Sequence, residues 1–173
     1  MDKKLIVNAV GFNAVWFAWA FLVPKHQYIV PAFLSAVYIA WHLKTSPTAR
    51  VDAWLIVVSC AAGFMFDSLL VMAGWLQFAL PNPAPLNHVQ PLWMSVMWAA
   101  FACTLNHSMA WLRKLHVLAA GLLCGVLGYL SYVGAMKLGA LTLQAGIGPM
   151  AALFVFWGVF IPLVQRKVEV IKP

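Results

Sequence analysis

The sequence predicts an all-α integral membrane protein: a bundle of six transmembrane helices forming a single domain, residues 1–173, with N and C termini both cytoplasmic. Three observations predict it. The chain is 64% hydrophobic and 9% charged, whereas about a quarter of the residues in an ordinary soluble fold are charged. Its apolar residues, including nine tryptophans and eleven phenylalanines, gather in six runs. Its lysines and arginines then sort onto alternate sides of those runs.

The runs are Leu5–Val23, Tyr28–Leu43, Ala53–Gly74, Leu92–Leu112, Val117–Met136 and Gly148–Val164. Most approach the ~20 residues that cross the hydrocarbon core, and the second and sixth are short. They are apolar throughout, not alternating with period two, which excludes a lipid-facing barrel. The first run, behind Lys3 and Lys4, is too long for the apolar part of a cleaved signal, and Pro24-Lys25-His26-Gln27 is a poor cleavage site. It is expected to stay as the first helix.

Prolines account for the breaks. Pro24 and Pro31 flank the first turn, and Ser46-Pro47-Thr48 ends the second run. Pro81, Pro83, Pro85 and Pro91 stiffen the longest connector, because proline lacks the amide donor and disfavours helix in the residue before it. With six crossings, Lys3, Lys4, Lys44, Arg50, Arg113, Lys114, Arg166, Lys167 and Lys172 share one side, and only Lys25 and Lys137 the other. Cations favour the cytoplasmic side, which sets the expected orientation. The net charge of +7 therefore reads as topology signals set singly or in pairs, not as a nucleic-acid surface. Trp41, Trp54, Trp75, Trp93 and Trp111 fall at run ends, as an aromatic belt would.

Small residues let helices approach closely in lipid. In the fifth run Gly121, Gly125, Gly128, Tyr132, Ala135 and Gly139 recur at steps of three and four. The third run carries Ser59, Gly63 and Asp67, and the fourth Ser95, Ala99, Ala102 and Asn106. These three faces are expected to form the centre of the bundle. Ala14 and Ala18 offer a further small face for a membrane-protein partner or a second copy. No internal repeat is evident.

Asp67 is the one acidic residue inside a run, since Asp2, Asp52 and Glu169 lie at run ends. A carboxylate at such depth is costly and needs a partner. Ser131, Tyr132 or a snorkelling Lys137 is the expected one. Asn106-His107 lies ~8 Å from the cytoplasmic end of a helix reaching Leu112, too far from Asp67 to couple with it. His42 is the nearer neighbour. On a helix the adjacent pair points about 100° apart, so Asn106 should join the small-residue seam while His107 faces elsewhere.

Cys60, Cys103 and Cys124 all lie within apolar runs, without CxxC or Cys/His spacing, so neither a disulfide, a metal nor a cofactor is indicated. The chain has no HExxH, GxSxG, P-loop or dinucleotide fingerprint, and Ser68 and Ser108 lack a recognisable base. No catalytic residue is assigned.

Phe66-Asp67-Ser68-Leu69-Leu70, Pro91-Leu92-Trp93-Met94 leading to Leu105-Asn106-His107-Ser108, and Leu130-Ser131-Tyr132 with Lys137-Leu138-Gly139-Ala140 resemble a family of small bacterial inner-membrane proteins catalogued as a domain of unknown function. The resemblance spans nearly the whole chain. It implies a multi-pass protein of the bacterial inner (plasma) membrane, with Asp67, Asn106, His107, Ser131 and Tyr132 in the family's motif. The residues themselves suggest a protein that binds, and by extension modifies, a lipid or other apolar molecule between the third, fourth and fifth helices. Asp67, Tyr132, Ser131, Asn106, His107, Trp98 and Lys137 are its candidate contacts, and membrane lipids its partners. A small-solute transporter or substrate-binding membrane subunit and a ligand-free assembly factor are the alternatives.

Overall fold

The computed structural model describes residues 3–171; Asp2 and Lys172 lie outside them. In chain order the elements are α1 (Lys3–Leu22), α2 (Ile29–Thr45), α3 (Ala49–Met72), β1 (Leu76–Phe78), α4 (Leu92–Leu105), α5 (Val117–Lys137), β2 (Leu141–Leu143) and α6 (Ile147–Ile171). Among the described residues, four segments are long and apolar enough to cross a membrane: Lys3–Lys25, Ala49–Met72, Val117–Lys137 and Ile147–Glu169. The chain is thus an all-α, multi-pass membrane protein, but the expected six transmembrane spans are not found. The sorting of cations across six crossings, and the orientation drawn from it, lapse with them.

The miscount has a physical cause. α4 is 14 residues long, which gives ~21 Å against a hydrocarbon core of ~30 Å. Its apolarity serves the interior instead: Trp93, Met97, Trp98, Ala100, Ala102, Cys103, Thr104 and Leu105 are all buried. Sequence alone does not separate a helix buried in protein from one dissolved in lipid. α4 stops at Leu105 and does not run on to Leu112; a turn and a short 3₁₀ segment, Ala110–Lys114, follow. α2, at 17 residues, is also short. The sixth run, by contrast, lies in the longest helix, whose 25 residues continue past Pro162.

Trp93, expected in an aromatic belt, is buried instead. Its ring stacks on Trp19 of α1 at 5.5 Å, and its N–H donates to Leu80 O. Trp19 in turn donates to Ser35 Oγ of α2 at 2.9 Å. These contacts tie α1 and α2 onto α4.

The remaining elements form an internal repeat that the sequence pattern did not reveal. α3 and α5 end alike. Each passes into a left-handed glycine, Gly74 (φ 72°) or Gly139 (φ 82°), and then into a strand. At the first end Gly74 N donates to Val71 O and Trp75 N to Leu70 O; at the second, Gly139 N donates to Met136 O and Ala140 N to Ala135 O. This paired pattern is a Schellman cap, which needs a residue tolerant of positive φ. The strands pair antiparallel with Leu76 opposite Leu143, Gln77 opposite Thr142 and Phe78 opposite Leu141. The order α3–β1–α4 thus parallels α5–β2–α6. In that order Gly63 answers to Gly128, Asp67 to Tyr132 and Trp98 to Trp157. The two indoles stack on one another, centroids 4.8 Å apart and planes 9° apart. Each also lies on its glycine, where an added Cβ would come within 2.2 Å of Trp98 or 2.1 Å of Trp157.

The glycine seam of α5 therefore does not face α3 and α4, as expected, but α6. A Cβ on Gly121 would meet the Gly158 carbonyl oxygen at 2.9 Å, and one on Gly125 the Phe154 carbonyl oxygen at 2.8 Å. The two backbones approach closely because Gly121 and Gly158 face each other without side chains, and Gly125 carries none toward Phe154.

Candidate functional site

Two features stand out in the bundle: an apolar cavity beside the Trp98–Trp157 stack, and a buried polar cluster at the end where α2 turns into α3.

The cavity, about 440 Å³, lies between α1, α4, α5 and α6. Phe12, Trp16 and Phe17 of α1 face Met94, Met97, Trp98 and Phe101 of α4. Leu127, Ser131 and Tyr132 come from α5, Trp157 and Ile161 from α6, and Met109, Trp111 and Leu112 close one end. It is not bounded by α3, whereas the sequence suggested a site between the third, fourth and fifth helices. Phe17, Leu127 and Trp111 are each about half exposed, which places its mouth between α1 and α5. Of the polar groups in the wall, Asn13 donates to Ala9 O (2.8 Å), Ser131 to Gly128 O (2.7 Å) and Tyr132 to Asp67 (2.6 Å). The Ser131 and Tyr132 hydroxyl donors are engaged, so Ser131 Oγ offers an acceptor position, and Asn13 keeps Oδ1 as an acceptor and one N–H as a donor.

Asp67 stands behind this wall and does not line it. It is fully buried; its Oδ1 accepts the Tyr132 hydroxyl and its Oδ2 the Trp98 indole N–H (2.9 Å). One carboxylate thus joins α3, α4 and α5, and it fixes two of the side chains that face the cavity. Of the partners expected for Asp67, Tyr132 is present. Ser131 turns to its own helix, and Lys137, in the last turn of α5, makes no contact with the carboxylate. The Trp157 N–H is buried without a hydrogen-bond partner.

The second feature centres on Asp52, ~22 Å along α3 from Asp67. The sequence placed Asp52 at a run end, yet its side chain is fully buried. Oδ1 accepts Asn106 Nδ2 at 2.9 Å. Oδ2 lies 2.9 Å from His107 Nε2 and 3.3 Å from His42 Nε2, and also accepts the Ser46 hydroxyl. Asn106 Oδ1 accepts Arg113 Nη2 (2.8 Å), and Arg113 Nε donates to Gln165 Oε1 (2.6 Å). Burial draws the Arg113 guanidinium below its ordinary pKa, against the opposite pull of Glu169 and Asp52. It stays protonated, as guanidinium does in proteins.

Asn106 and His107 thus converge on one carboxylate, contrary to the expected divergence. The 100° rule applies only inside a helix, and α4 ends at Leu105, so both residues sit in the turn beyond it. The expected proximity of His42 and His107 holds, with ring centroids 4.7 Å apart. Neither Asn106 nor His107 lines the apolar cavity. Asn8 is another participant that the sequence hid inside an apolar run. It is buried, accepts from Ser108 Oγ (2.6 Å), and donates to Cys103 O (3.1 Å) and Tyr38 Oη (3.0 Å).

Residues 5–163 match the model of a family described as protein of unknown function (DUF2878). The chain belongs to the DUF2878 family. That match takes in both the Asp67 tie and the Asp52 cluster, so the two are features of a DUF2878 domain. No curated protein and no solved structure matches the chain.

Proposed function

We propose that this DUF2878 protein holds one lipid or other apolar molecule in the cavity between α1, α4, α5 and α6, within a bacterial inner membrane. The observation that carries the proposal is the cavity itself. Its 440 Å³ falls in the range of small-molecule sites, and its walls are aromatic and thioether with a few polar groups. Its mouth lies between two membrane-crossing helices, where a lipid-dissolved molecule can enter sideways. Ser131 and Asn13 accept hydrogen bonds from the ligand, Trp98 and Tyr132 form the wall, and Asp67 holds both in place. The helical multi-pass architecture supports the inner membrane, since bacterial outer-membrane spans are barrels.

Leu127→Trp tests this at the mouth, where the larger side chain projects into open space and leaves the core alone. Native mass spectrometry of the detergent-purified protein is expected to show one retained apolar molecule in the parent. The variant, with unchanged thermal stability, is expected to retain it at least about tenfold less, equivalent to ~1.4 kcal/mol. Equal retention by both would remove the cavity from consideration.

A small-solute carrier is the second candidate, and the internal repeat favours it. Many transporters place their substrate at the interface of two structural repeats, which here is where Asp67, Tyr132, Trp98 and Trp157 meet. Solute flux in vesicles that Asp67→Asn abolishes, with the fold intact, would decide for the carrier.

A further inference from the structure

We infer that His42, Asp52 and His107 form a binding site for a single divalent transition-metal ion of the zinc or ferrous class. The site is separate from the apolar cavity and does not depend on what the cavity holds.

The donor atoms come from three parts of the chain: the last turn of α2, the first turn of α3 and the turn after α4. All lie within 4.8 Å of one another. Asp52 Oδ2 is 2.9 Å from His107 Nε2 and 3.3 Å from His42 Nε2. Ligands ~2.0–2.1 Å from a tetrahedral ion stand ~3.3 Å apart, so small movements would seat one. Two imidazoles and a carboxylate suit zinc or iron(II), and leave further positions open for water or a substrate.

Two observations favour an ion over a purely hydrogen-bonded knot. First, His42 is 4% exposed, and its Nε2 has a single polar neighbour, Asp52 Oδ2 at 3.3 Å, with which it does not reach hydrogen-bonding geometry. A buried polar atom so poorly satisfied is uncommon. Second, the surrounding residues do what outer-shell groups do at metal sites. Asn106 Nδ2 engages Asp52 Oδ1, leaving Oδ2 directed at the histidines, while Arg113 on Asn106 Oδ1 fixes which way the amide faces. Asn8 Nδ2, which also donates to Cys103 O and Tyr38 Oη, lies 3.3 Å from His42 Nδ1 and fixes where the ring sits. His107 is part-exposed and lines a pocket of about 450 Å³ with Ser108 and Trp111, which provides the route in.

The test uses the full chain in detergent, purified on a tag without histidine and stripped with a chelator. Zinc titration by calorimetry is expected to give one equivalent per chain and a raised unfolding temperature. Cobalt(II) is expected to give the visible absorption of a nitrogen- and oxygen-ligated ion. His42→Gln and His107→Gln should each weaken binding by at least about 100-fold, more than loss of an outer-shell group does. A variant with His26, His88 and His116 all changed to Gln should bind like the parent. Lack of saturable zinc binding by the parent overturns the site. So does binding that survives both single variants, or that disappears with the three loop histidines. If the single variants fail to fold, the cobalt spectrum decides: present and equal in the parent and the loop variant, it supports the site; absent or lost, it overturns it.

Discussion

Gly125→Leu is expected to prevent the chain from accumulating as a folded protein. The first atom of the new side chain would lie 2.8 Å from the Phe154 carbonyl oxygen, and 2.9 Å from the Phe154 ring. Both belong to α6. The ring can turn, but the carbonyl is part of the helix backbone, so α5 and α6 must separate. The contact of Gly121 with Gly158 lies one turn away and would open with them. Overpacking a core commonly costs ~1–3 kcal/mol, and a leucine wedged between two backbones belongs at or beyond the upper end. Gly134→Ala is the matched control on the same helix: its Cβ would meet only the Trp16 ring, at 3.4 Å. It should be neutral, or stabilising by up to ~1 kcal/mol through helix propensity. Yield of monodisperse protein and the thermal midpoint in detergent measure both. A Gly125→Leu protein as stable as the parent would refute the α5–α6 crossing.

Asp67→Leu is the second large effect. It leaves the Tyr132 hydroxyl and the Trp98 N–H, both buried, without their acceptor. Each orphaned donor costs about 1–3 kcal/mol, so the loss should be several kcal/mol in all. Asp67→Asn keeps the shape and the acceptor for Trp98, and its amide donates to Tyr132 Oη, so it leaves one donor in place of two without an acceptor and should lose about half as much stability as the leucine variant. The near-ultraviolet circular dichroism of the Trp98–Trp157 stack provides a local readout. It should collapse in the leucine variant and persist in the asparagine one. Equal stability of the two variants would mean that Asp67 does not carry the tie between α3, α4 and α5.

Helix existence was legible because each helix here is a continuous apolar run closed by proline, glycine or charge. Asp67 and Tyr132 were legible together because a lone carboxylate in an apolar run must find a donor. The Asp52 cluster was not. Asp52 stands near the start of its helix beside Arg50, which reads as an exposed end, and burial comes only from His42, Asn106 and His107 closing over it. A search for metal-ligand spacing finds ligands close in sequence, whereas His42 and His107 belong to separate elements. The internal repeat was hidden for a related reason. Its equivalent positions need equivalent backbone shape, as at Gly74 and Gly139, but not equal side chains, and Asp67 answers to Tyr132.

By itself the sequence determined that this chain lives in a membrane as helices. The apolar runs leave no soluble alternative, and backbone groups in lipid must be satisfied within the helix. Only the tertiary structure decided which runs form helices long enough to cross and which turn their apolar residues to the interior. An apolar surface is satisfied equally by hydrocarbon or by neighbouring helices, and α4 spends its apolarity on neighbours. The fold likewise decided which polar residues meet, because the end of α4 at Leu105 turned two side chains that a longer helix would have splayed apart onto one carboxylate.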